Sequence, residues 1–600
     1  MEKVRMAVIF ISFEVRIFSS KIQRMNRLLF STLLPSLFLM LISCQKPPNL
    51  LLIITDDQGY GDLSLHGHPI LETPNLDAIG TGGVRLDNFH VSPVCAPTRA
   101  AVLTGRRPLS TGAYYVTRGG EVMDAEESTM GEVFRDHGYA TGYFGKWHNG
   151  AHHPHHPLSQ GFEEFFGFTA GHCNRYFDPL LEHNGRMVRT EGYIADIFTD
   201  RAIDFIRSKK SDPFFCYLAY NTPHSPFQVP DRYFDMYKDQ VTEGDSALRI
   251  MNACVYGMVR NIDDNVGRLM QVLQEEGLEE NTVVVFLTDN GPNTQRFNGA
   301  MKGRKGWVND GGVRVPCFIR WKGHLPEGKV VESMTAHIDL LPTLTSLMGI
   351  EFEPVREIHG IDLTTRLMGE DREQARTLFT HVNHGTTVTP LPGAVRTAEW
   401  RLVATDRGVL ELTRRRDASE EENLVDTLPA LADSLYAVYM HWFSPLKTRQ
   451  IPPVPVGVTD SVVIPAHEGF LSGRAAYFWS ENGWSNDWVH RLDLEGSSIS
   501  WPLKVFQEGA YQCEVQYAAP AGGASMVIQT GNLSIEGELP QFVPVPDRNY
   551  SRIDRPAEAI GQTWNRFLIG ELALGEGLST LTVSASDPDL ELLSVVLTKK

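Results

Sequence analysis

The sequence predicts a layered α/β domain with a mainly parallel central sheet, then a small antiparallel subdomain and an appended β-sandwich module. From residue 45 to 392, short β-branched or aromatic runs alternate with helix-length amphipathic segments, the pattern of an α/β fold. Residues 393–448 change to shorter strand-like pieces and a helical stretch. A proline-rich linker at 449–456 leads to residues 457–600, where short strands alternate with glycine turns, as in a β-sandwich.

Length and charge exclude several classes of protein. The chain has 600 residues, about four times a typical domain of ~150 residues, so more than one domain is expected. Hydrophobic residues make up 42% of the chain and charged residues 21%, which excludes a disordered chain and a polytopic membrane protein. The net charge of −18 opposes binding to nucleic acid, so an anionic substrate would need a local cluster of cations.

Residues 1–44 are predicted to be a lipoprotein signal peptide, with Met25 as an alternative start of translation. The apolar run at 28–43 follows two arginines and ends in Leu-Ile-Ser-Cys, which resembles a bacterial lipobox. Cys44 would then carry the lipid. A plain signal peptide or a single membrane anchor is the alternative. We expect a bacterial lipoprotein attached to the membrane through its lipid alone and facing the periplasm, with the cell surface as the alternative.

Four strands and one long helix are predicted in the first domain. The strand candidates are Asn49–Thr55, Tyr139–Phe144, Pro213–Tyr220 and Thr282–Thr288. Between the last two, apolar residues recur every three or four positions from Leu248 to Leu273, which predicts an amphipathic helix.

Polar side chains follow each of these strands. They are Asp56 and Asp57, Lys146 and His148, His224, and Asp289 and Asn290. Because ligands bind at the carboxyl ends of strands in an open α/β sheet, we expect these side chains to converge. Carboxylate and amide oxygens are hard ligands suited to Ca²⁺ or Mg²⁺. A turn or a helix cap explains any one acidic pair, so the prediction depends on two pairs at two strand ends.

A cysteine precedes a proline by two positions in the segment Cys95-Ala96-Pro97-Thr98-Arg99. The segment is a predicted helix start, where backbone N–H groups and the helix dipole favour an anion. Written C-x-P-x-R and followed by AAVLTGR, it resembles the signature of type I sulfatases, whose cysteine is oxidised to formylglycine by a maturation enzyme. Further motifs stand in the family's order: TDDQGYGDL, TPNLD, GKWH, TPHSPF, TDNG and GRKGWVNDGGVRVP. Asp310 replaces the family's usual glutamate, a change expected to be harmless.

The resemblance implies the fold of the alkaline phosphatase superfamily and a Ca²⁺ site, with Mg²⁺ as the alternative ion. The implied ligands are Asp56, Asp57, Asp289, Asn290 and the formylglycine made from Cys95. The resemblance also implies that one hydroxyl of the hydrated aldehyde attacks sulfur to give a covalent sulfo-enzyme, and that the other expels sulfate. In the remaining implied roles, Arg99 stabilises the hydrate, His148 assists its deprotonation or the elimination, Lys146 and Lys305 bind sulfate oxygens, and His224 protonates the leaving oxygen.

Candidate contacts to the substrate come from two places in the sequence. The loop at 150–178 follows the GKWH motif and begins beside the pocket; it supplies His172, Asn174 and Arg175, and Tyr115 and Arg118 are further candidates. Four histidines at 152–156 are compatible with a metal tract, but the prolines within and directly after this stretch favour an extended loop. Four tryptophans between 479 and 501 either stack on sugars or pack in the core of the sandwich.

A lipid-anchored sulfatase with an appended β-sandwich resembles enzymes that desulfate algal polysaccharides. We therefore expect a sulfated polysaccharide or oligosaccharide as substrate and favour ulvan, with carrageenan and host glycosaminoglycan fragments as alternatives. Two rival functions are a phosphoester or phosphonate hydrolase of the same superfamily and a catalytically inactive glycan-binding lipoprotein. The paired lysine and histidine motifs favour sulfate, and no catalytic position of the family is missing.

Overall fold

The computed structural model describes residues 46–446, 451–479, 481, 483–493, 496–521, 523–546 and 561–600. The predicted signal peptide, with Cys44, lies outside the described residues, as does part of the predicted linker. Across the described ranges, no helix is both long enough and apolar enough to cross a bilayer.

A ten-stranded sheet forms the centre of the first domain. The first twelve strands are β1 Asn49–Thr55, β2 Val84–Leu86, β3 Phe89–His90, β4 Ala140–Lys146, β5 Glu164–Phe168, β6 Leu180–His183, β7 Arg186–Arg189, β8 Phe214–Ala219, β9 Thr282–Thr288, β10 Cys317–Arg320, β11 Lys329–Val331 and β12 Thr335–Ala336. Ten of them pair in the order β11-β2-β10-β9-β1-β8-β4-β5-β6-β7. The pairs made by β10 and β6 are antiparallel and the others are parallel, which confirms the predicted fold class.

Helices cover both faces of this sheet. The α-helices within the described residues are α1 Pro74–Thr81, α2 Cys95–Thr104, α3 Pro108–Thr111, α4 Met130–Asp136, α5 Ile194–Lys209, α6 Asp231–Tyr237, α7 Ser246–Glu275, α8 Asp310–Val313, α9 Leu340–Leu347, α10 Thr364–Met368 and α11 Pro429–Phe443. One apolar layer contains residues of α1, α5, α6 and α7, and the opposite layer contains residues of α2, α4, α9 and α10. Helix α7 confirms the long amphipathic helix, and the Asp245 side chain caps it by accepting from Leu248 N at 2.9 Å.

Strand β1 shows why this sheet lies between two helical layers. All seven of its residues are buried. Leu51 and Ile53 belong to the layer with α5 and α7, whereas Leu50, Leu52 and Ile54 belong to the layer with α2 and α9. Because successive strand side chains point to opposite faces, a continuous apolar run requires cover on both sides.

A separate antiparallel sheet of four strands follows the central domain. Its strands are β13 Leu378–His381, β14 Gly393–Arg396, β15 Trp400–Ala404 and β16 Leu410–Arg414. Residues of α11 share an apolar cluster with it. The subdomain is predicted to start at residue 393, where the sequence pattern changes. Strand β13 lies before that residue, so the sheet contains one strand that the predicted boundary leaves out.

Asp310 connects this small sheet to the central domain. Its buried carboxylate forms ion pairs with Arg396 and Arg401, whose side chains are fully buried. Glu420 lies 3.3 Å from Arg401 Nε and accepts from the Asp310 backbone N–H at 2.8 Å. Burial alone would raise the pKa of Asp310, but the two guanidinium groups outweigh burial and lower that pKa well below its usual range.

The C-terminal module consists of two six-stranded sheets. Its strands are β17 Val454–Val456, β18 Ser461–Pro465, β19 Phe470–Ser472, β20 Ala476–Tyr477, β21 Val489–His490, β22 Ser498–Val505, β23 Gly509–Ala518, β24 Ala524–Thr530, β25 Leu533–Leu539, β26 Asn565–Leu574, β27 Gly577–Ala585 and β28 Glu591–Lys599. Buried and less buried residues alternate along β22, and its Trp501 belongs to the apolar core of the module. This is the arrangement of a β-sandwich.

Replacing Asp310 by asparagine should destabilise the fold, because it deprives two buried guanidinium groups of their shared counter-charge. Breaking a buried ion pair costs about 3 kcal/mol or more, and urea unfolding of Asp310→Asn should show a loss of that order. Glu399→Gln is the control, because Glu399 lies 3.1 Å from Arg414 with both side chains more than half exposed. An exposed pair contributes about 1 kcal/mol or less. Equal free energies of unfolding for the two variants would contradict this account.

Candidate active site

The ends of two adjacent strands place two polar pairs side by side. Strands β1 and β9 are parallel neighbours; Asp56 and Asp57 follow β1, and Asp289 and Asn290 follow β9. The backbone N–H of Asp57 donates to Asp289 Oδ1 at 3.2 Å, and Asn290 Nδ2 donates to Asp57 Oδ1 at 2.7 Å. The structure therefore brings together the four residues that the sequence predicts as metal ligands.

The donor atoms of this cluster fit a divalent cation. Single ligand atoms of Asp56, Cys95 and Asp289 lie within 4.8 Å of one another, as do those of Asp56, Asp57 and His224. Among the described residues, Asp56 Oδ1 and Asn290 Oδ1 are buried without a hydrogen-bond partner. Buried polar atoms are normally satisfied, and carboxylate and amide oxygens are the ligands that hard cations prefer.

Each carboxylate also has a cationic side chain beside it. The pairs are Asp56 with Lys146 at 2.6 Å, Asp57 with Lys305 at 2.7 Å and Asp289 with Arg99 at 2.8 Å. Lys146 and Arg99 are almost completely buried, whereas Lys305 is partly exposed. Lys305 is therefore the most accessible of the three cations to an anion that enters from solvent.

Burial and charge act in opposite directions on these carboxylates. Burial would raise the pKa of Asp56, but Lys146 and the other nearby cations outweigh burial and lower that pKa well below its usual range. Burial and the negative charge of Asp56 raise the pKa of Asp289, although Arg99 opposes the shift. The close packing of the acidic groups is therefore electrostatically costly, and a divalent cation among them would relieve the repulsion.

Cys95 begins helix α2 and lies beside this cluster. The residue is 3% exposed, and all ten residues of α2 are buried. The first backbone N–H groups of a helix have no partner within the helix, so this position favours an anion. Burial raises the pKa of the Cys95 thiol, although Lys146 and Lys305 oppose the shift, so the unmodified thiol is protonated at neutral pH.

His148 is held in one tautomer. Its Nε2 lies 2.8 Å from Val116 O, and a carbonyl oxygen only accepts, so Nε2 carries the proton. Its Nδ1 is buried and has no partner among the described residues, which leaves it as a proton acceptor. Burial lowers the pKa of His148 well below its usual range. Gly171 permits this placement, because a Cβ at that position would lie 2.2 Å from Nε2.

Two further imidazole rings lie close together at the site. His224 Nδ1 lies 2.8 Å from Ser225 O, which directs Nε2 towards Asp57 Oδ2 at 3.6 Å. The ring of His172 is 5.4 Å from that of His224. His172 is buried, and neither of its ring nitrogens has a partner in the described part of the chain. Burial, then the neighbouring His224, lowers the pKa of His172 well below its usual range.

The segment 302–312, which carries Lys305, is attached to the protein at several points. The attachments are Lys305 N to Pro292 O at 2.9 Å, Gly306 N to Pro93 O at 2.8 Å and Arg396 Nη2 to Val308 O at 2.6 Å. The last of these comes from the small antiparallel sheet. The subdomain therefore contributes to the position of a cation in the site.

Part of this site opens into a cavity of about 440 Å³. Its inner residues include Asp57, Cys95, His148, His224 and Lys305. The volume lies within the range of about 300–1,000 Å³ that is usual for small-molecule sites. The cavity therefore holds more than a single small anion.

The five predicted substrate contacts divide into two groups. Tyr115 and His172 line the cavity. The other three are not among the residues that line it: Arg118 lies close to Tyr477 of the C-terminal module, Arg175 Nε donates to Phe177 O at 3.0 Å, and the backbone carbonyl of Asn174 accepts from Gln228 Nε2 at 3.2 Å. Contacts from these three to a substrate stay predictions.

The four histidines at 152–156 have separate partners. They are Glu468 for His152 at 3.3 Å, Ser159 for His153 at 2.6 Å, Met123 O for His155 at 2.7 Å and Glu182 for His156 at 2.9 Å. Among the described residues, the groups that could hold a metal do not include them. The predicted extended loop is wrong, because His155 N donates to His152 O at 2.7 Å in a turn, and a single 3-10 turn follows at Pro157–Ser159.

Other cavity residues were not assigned to the substrate from the sequence. They include Thr117, Asn293, Arg304, Trp307, Asn383 and His384. Arg304 and Trp307 lie within the motif GRKGWVNDGG, so that motif contained the signal. Asn383 and His384 follow β13, and no local pattern marks them.

Comparisons of the sequence with known proteins identify the sulfatase family. The family profile described as Sulfatase matches residues 48–350. The N-acetylgalactosamine-6-sulfatase of Sus scrofa is 34% identical over 372 residues, which cover 56% of this chain and 68% of that protein. Arylsulfatase A of Homo sapiens is 33% identical over 408 residues, which cover 60% of this chain and 75% of that protein.

A solved structure extends the similarity to three dimensions. The crystal structure of Ps i-CgsB in complex with k-i-k-neocarrahexaose matches with a TM-score of 0.61 at 28% identity. The match covers 67% of this chain and 94% of that chain.

Loss of one oxygen ligand should weaken cation binding at the cluster. We expect Asp56→Asn to bind a divalent cation at least about tenfold more weakly than wild type, because even changes to groups around a metal's ligands cost 10- to 100-fold. Isothermal titration of chelator-treated protein with Ca²⁺ and with Mg²⁺ measures this. Asp77→Asn is the control, because Asp77 accepts from Ser64 and Thr73 away from the cluster. Equal affinities for both variants would show that the cluster is not the cation site.

Proposed function

The chain belongs to the sulfatase family and is a sulfuric ester hydrolase, and from this premise we propose that it desulfates an algal polysaccharide or its oligosaccharides. One observation carries the proposal: Cys95, at the start of a buried helix, lies beside a cluster that fits a cation and lines the same cavity of about 440 Å³ as the partly exposed Lys305. A site of this kind binds an anionic group and leaves room for the molecule that carries it.

We propose that Cys95 is converted to formylglycine by a maturation enzyme, since the family generally uses this group. The hydrated aldehyde would supply the nucleophilic hydroxyl that attacks sulfur, with a covalent sulfo-enzyme as intermediate. The donor set of Asp56, Asp57, Asp289 and Asn290 supports Ca²⁺ as the bound ion. The cation would neutralise negative charge at the reacting group.

The surrounding side chains have distinct tasks in this proposal. Lys305 and Lys146 bind sulfate oxygens, Arg99 stabilises the nucleophile, and His148 Nδ1 accepts its proton. His224 Nε2 protonates the leaving oxygen of the sugar. In both rings the opposite nitrogen bonds a backbone carbonyl, which leaves His148 Nδ1 as an acceptor. His224 Nε2 faces Asp57 Oδ2 at 3.6 Å and donates when the ring carries both protons.

The proposal of an algal glycan is supported by two facts. The cavity is larger than a sulfate group requires, and it includes aromatic side chains. A structural neighbour at 28% identity was crystallised with k-i-k-neocarrahexaose. Ulvan and carrageenan oligosaccharides are therefore the first substrates to test, with glycosaminoglycan fragments beside them.

We also propose that the mature protein is a lipoprotein anchored at Cys44 and facing the periplasm. The Leu-Ile-Ser-Cys sequence after an apolar run supports this. Radiolabelled palmitate incorporation that disappears in Cys44→Ala would test it.

Sulfate release should depend on Cys95. We expect protein produced with a maturation enzyme, and carrying formylglycine by peptide mass, to free sulfate from one class of oligosaccharide among ulvan, carrageenan and glycosaminoglycan fragments. Cys95→Ala should free none, because it cannot form the aldehyde. Ion chromatography measures the sulfate. If fully modified protein desulfates no glycan, the substrate proposal is wrong, and phosphate esters become the next class to test.

Removing the charge of Lys305 should slow turnover strongly. We expect Lys305→Met to lower kcat for 4-nitrophenyl sulfate about 100-fold or more, since a lost charge donor at a developing anion has that effect. Lys302→Met is the matched control from the same segment, because Lys302 pairs with Glu411 at 2.7 Å and is not a cavity residue. Its kcat should stay within about twofold of wild type. A similar loss in both variants would assign the effect to the segment's structure.

A further inference from the structure

The C-terminal module reaches the catalytic cavity through one short segment, 483–486. Three hydrogen bonds attach this segment to the sulfatase domain: Thr117 Oγ1 to Gly483 O at 2.7 Å, Gly171 N to Ser485 Oγ at 3.1 Å and Asn486 Nδ2 to His172 O at 2.6 Å. Both Thr117 and His172 are cavity residues. The segment is therefore attached directly to the rim of the active site.

Trp484 of this segment lines the cavity. Its exposed fraction is 49%, whereas Trp488 is 2% exposed and Trp501 is completely buried in the module. A large aromatic side chain that packs in no core and faces a cavity is typical of a ligand contact. Packing in the core of the module therefore explains Trp488 and Trp501, but it does not explain Trp484.

The sulfatase domain contributes a second exposed tryptophan to the same cavity. Trp307 is 48% exposed and lies two positions after Lys305. The cavity thus combines a charged interior with aromatic faces nearer to solvent. A sulfated sugar has the complementary character, because its sulfate is anionic and the C–H face of its ring is apolar.

We propose that Trp484 is a specificity-determining residue that stacks on a sugar ring of the sulfated glycan, so that the C-terminal module forms part of the substrate site. The proposal builds on the proposed glycan substrate. The reacting groups all belong to the sulfatase domain, so Trp484 affects which esters bind and leaves attack on sulfur unchanged. Small aryl sulfates that reach Lys305 and Cys95 do not require the module.

The test compares Trp484→Ala with wild type on the best oligosaccharide and on 4-nitrophenyl sulfate. Loss of a pocket contact changes discrimination by about 10- to 200-fold. We expect kcat/KM for the oligosaccharide to fall at least about tenfold through KM, with less than a twofold change for 4-nitrophenyl sulfate. Trp484→Phe, which keeps an aromatic face, should recover most of the loss.

Trp479→Ala is the matched control from the same module. Trp479 is 38% exposed, packs against Phe478 and Trp488, and is not a cavity residue. Its oligosaccharide kinetics should equal those of wild type. Unchanged kinetics in Trp484→Ala, an equal loss on both substrates, or the same loss in Trp479→Ala would overturn the proposal. Wild-type protein that desulfates no glycan would instead refute the proposed function, and this inference with it.

Discussion

The crowding of three carboxylates at the ends of neighbouring strands is the constraint on which the site depends. Asp56 and Asp57 leave β1 where Asp289 leaves β9, and parallel pairing of the two strands fixes their separation. Such a cluster persists in a buried place only if positive charge surrounds it. Lys146, Lys305 and Arg99 provide part of that charge, and each comes from a different segment of the chain. Lys305, the accessible member of the three, is thereby placed where an anionic ester enters.

Local sequence patterns are sufficient to predict the fold and to predict most of the residues that converge at the inner site. Continuous apolar runs predict the buried parallel strands, and polar residues directly after them predict a convergence that β1, β4, β8 and β9 produce. The predictions succeed here because each depends on a strand and its own end. The ordered motifs that include Cys95 then identify the family. The apolar strand runs and the polar residues at their ends do not identify it.

Long-range contacts explain the cavity residues that local sequence patterns do not predict. Trp484 reaches the cavity because its neighbour Gly483 bonds Thr117, 366 positions earlier in the chain, and no local pattern reports such a contact. Arg118 is a candidate substrate ligand from the sequence, but it lies close to Tyr477 of the C-terminal module and is not among the residues that line the cavity. The module therefore adds a residue to the cavity that the local sequence does not reveal.

The attachment of segment 302–312 has a consequence for the energetics of binding. Backbone bonds to Pro93 and Pro292, with a guanidinium bond from Arg396, hold the segment before any substrate arrives. An anion that binds Lys305 therefore does not have to order a loop, and the entropy of ordering that backbone, about 1–2 kcal/mol for each residue, has already been lost on folding. Such a rigid receptor favours one shape of ester over many, so the enzyme obtains tight recognition at the expense of adaptability.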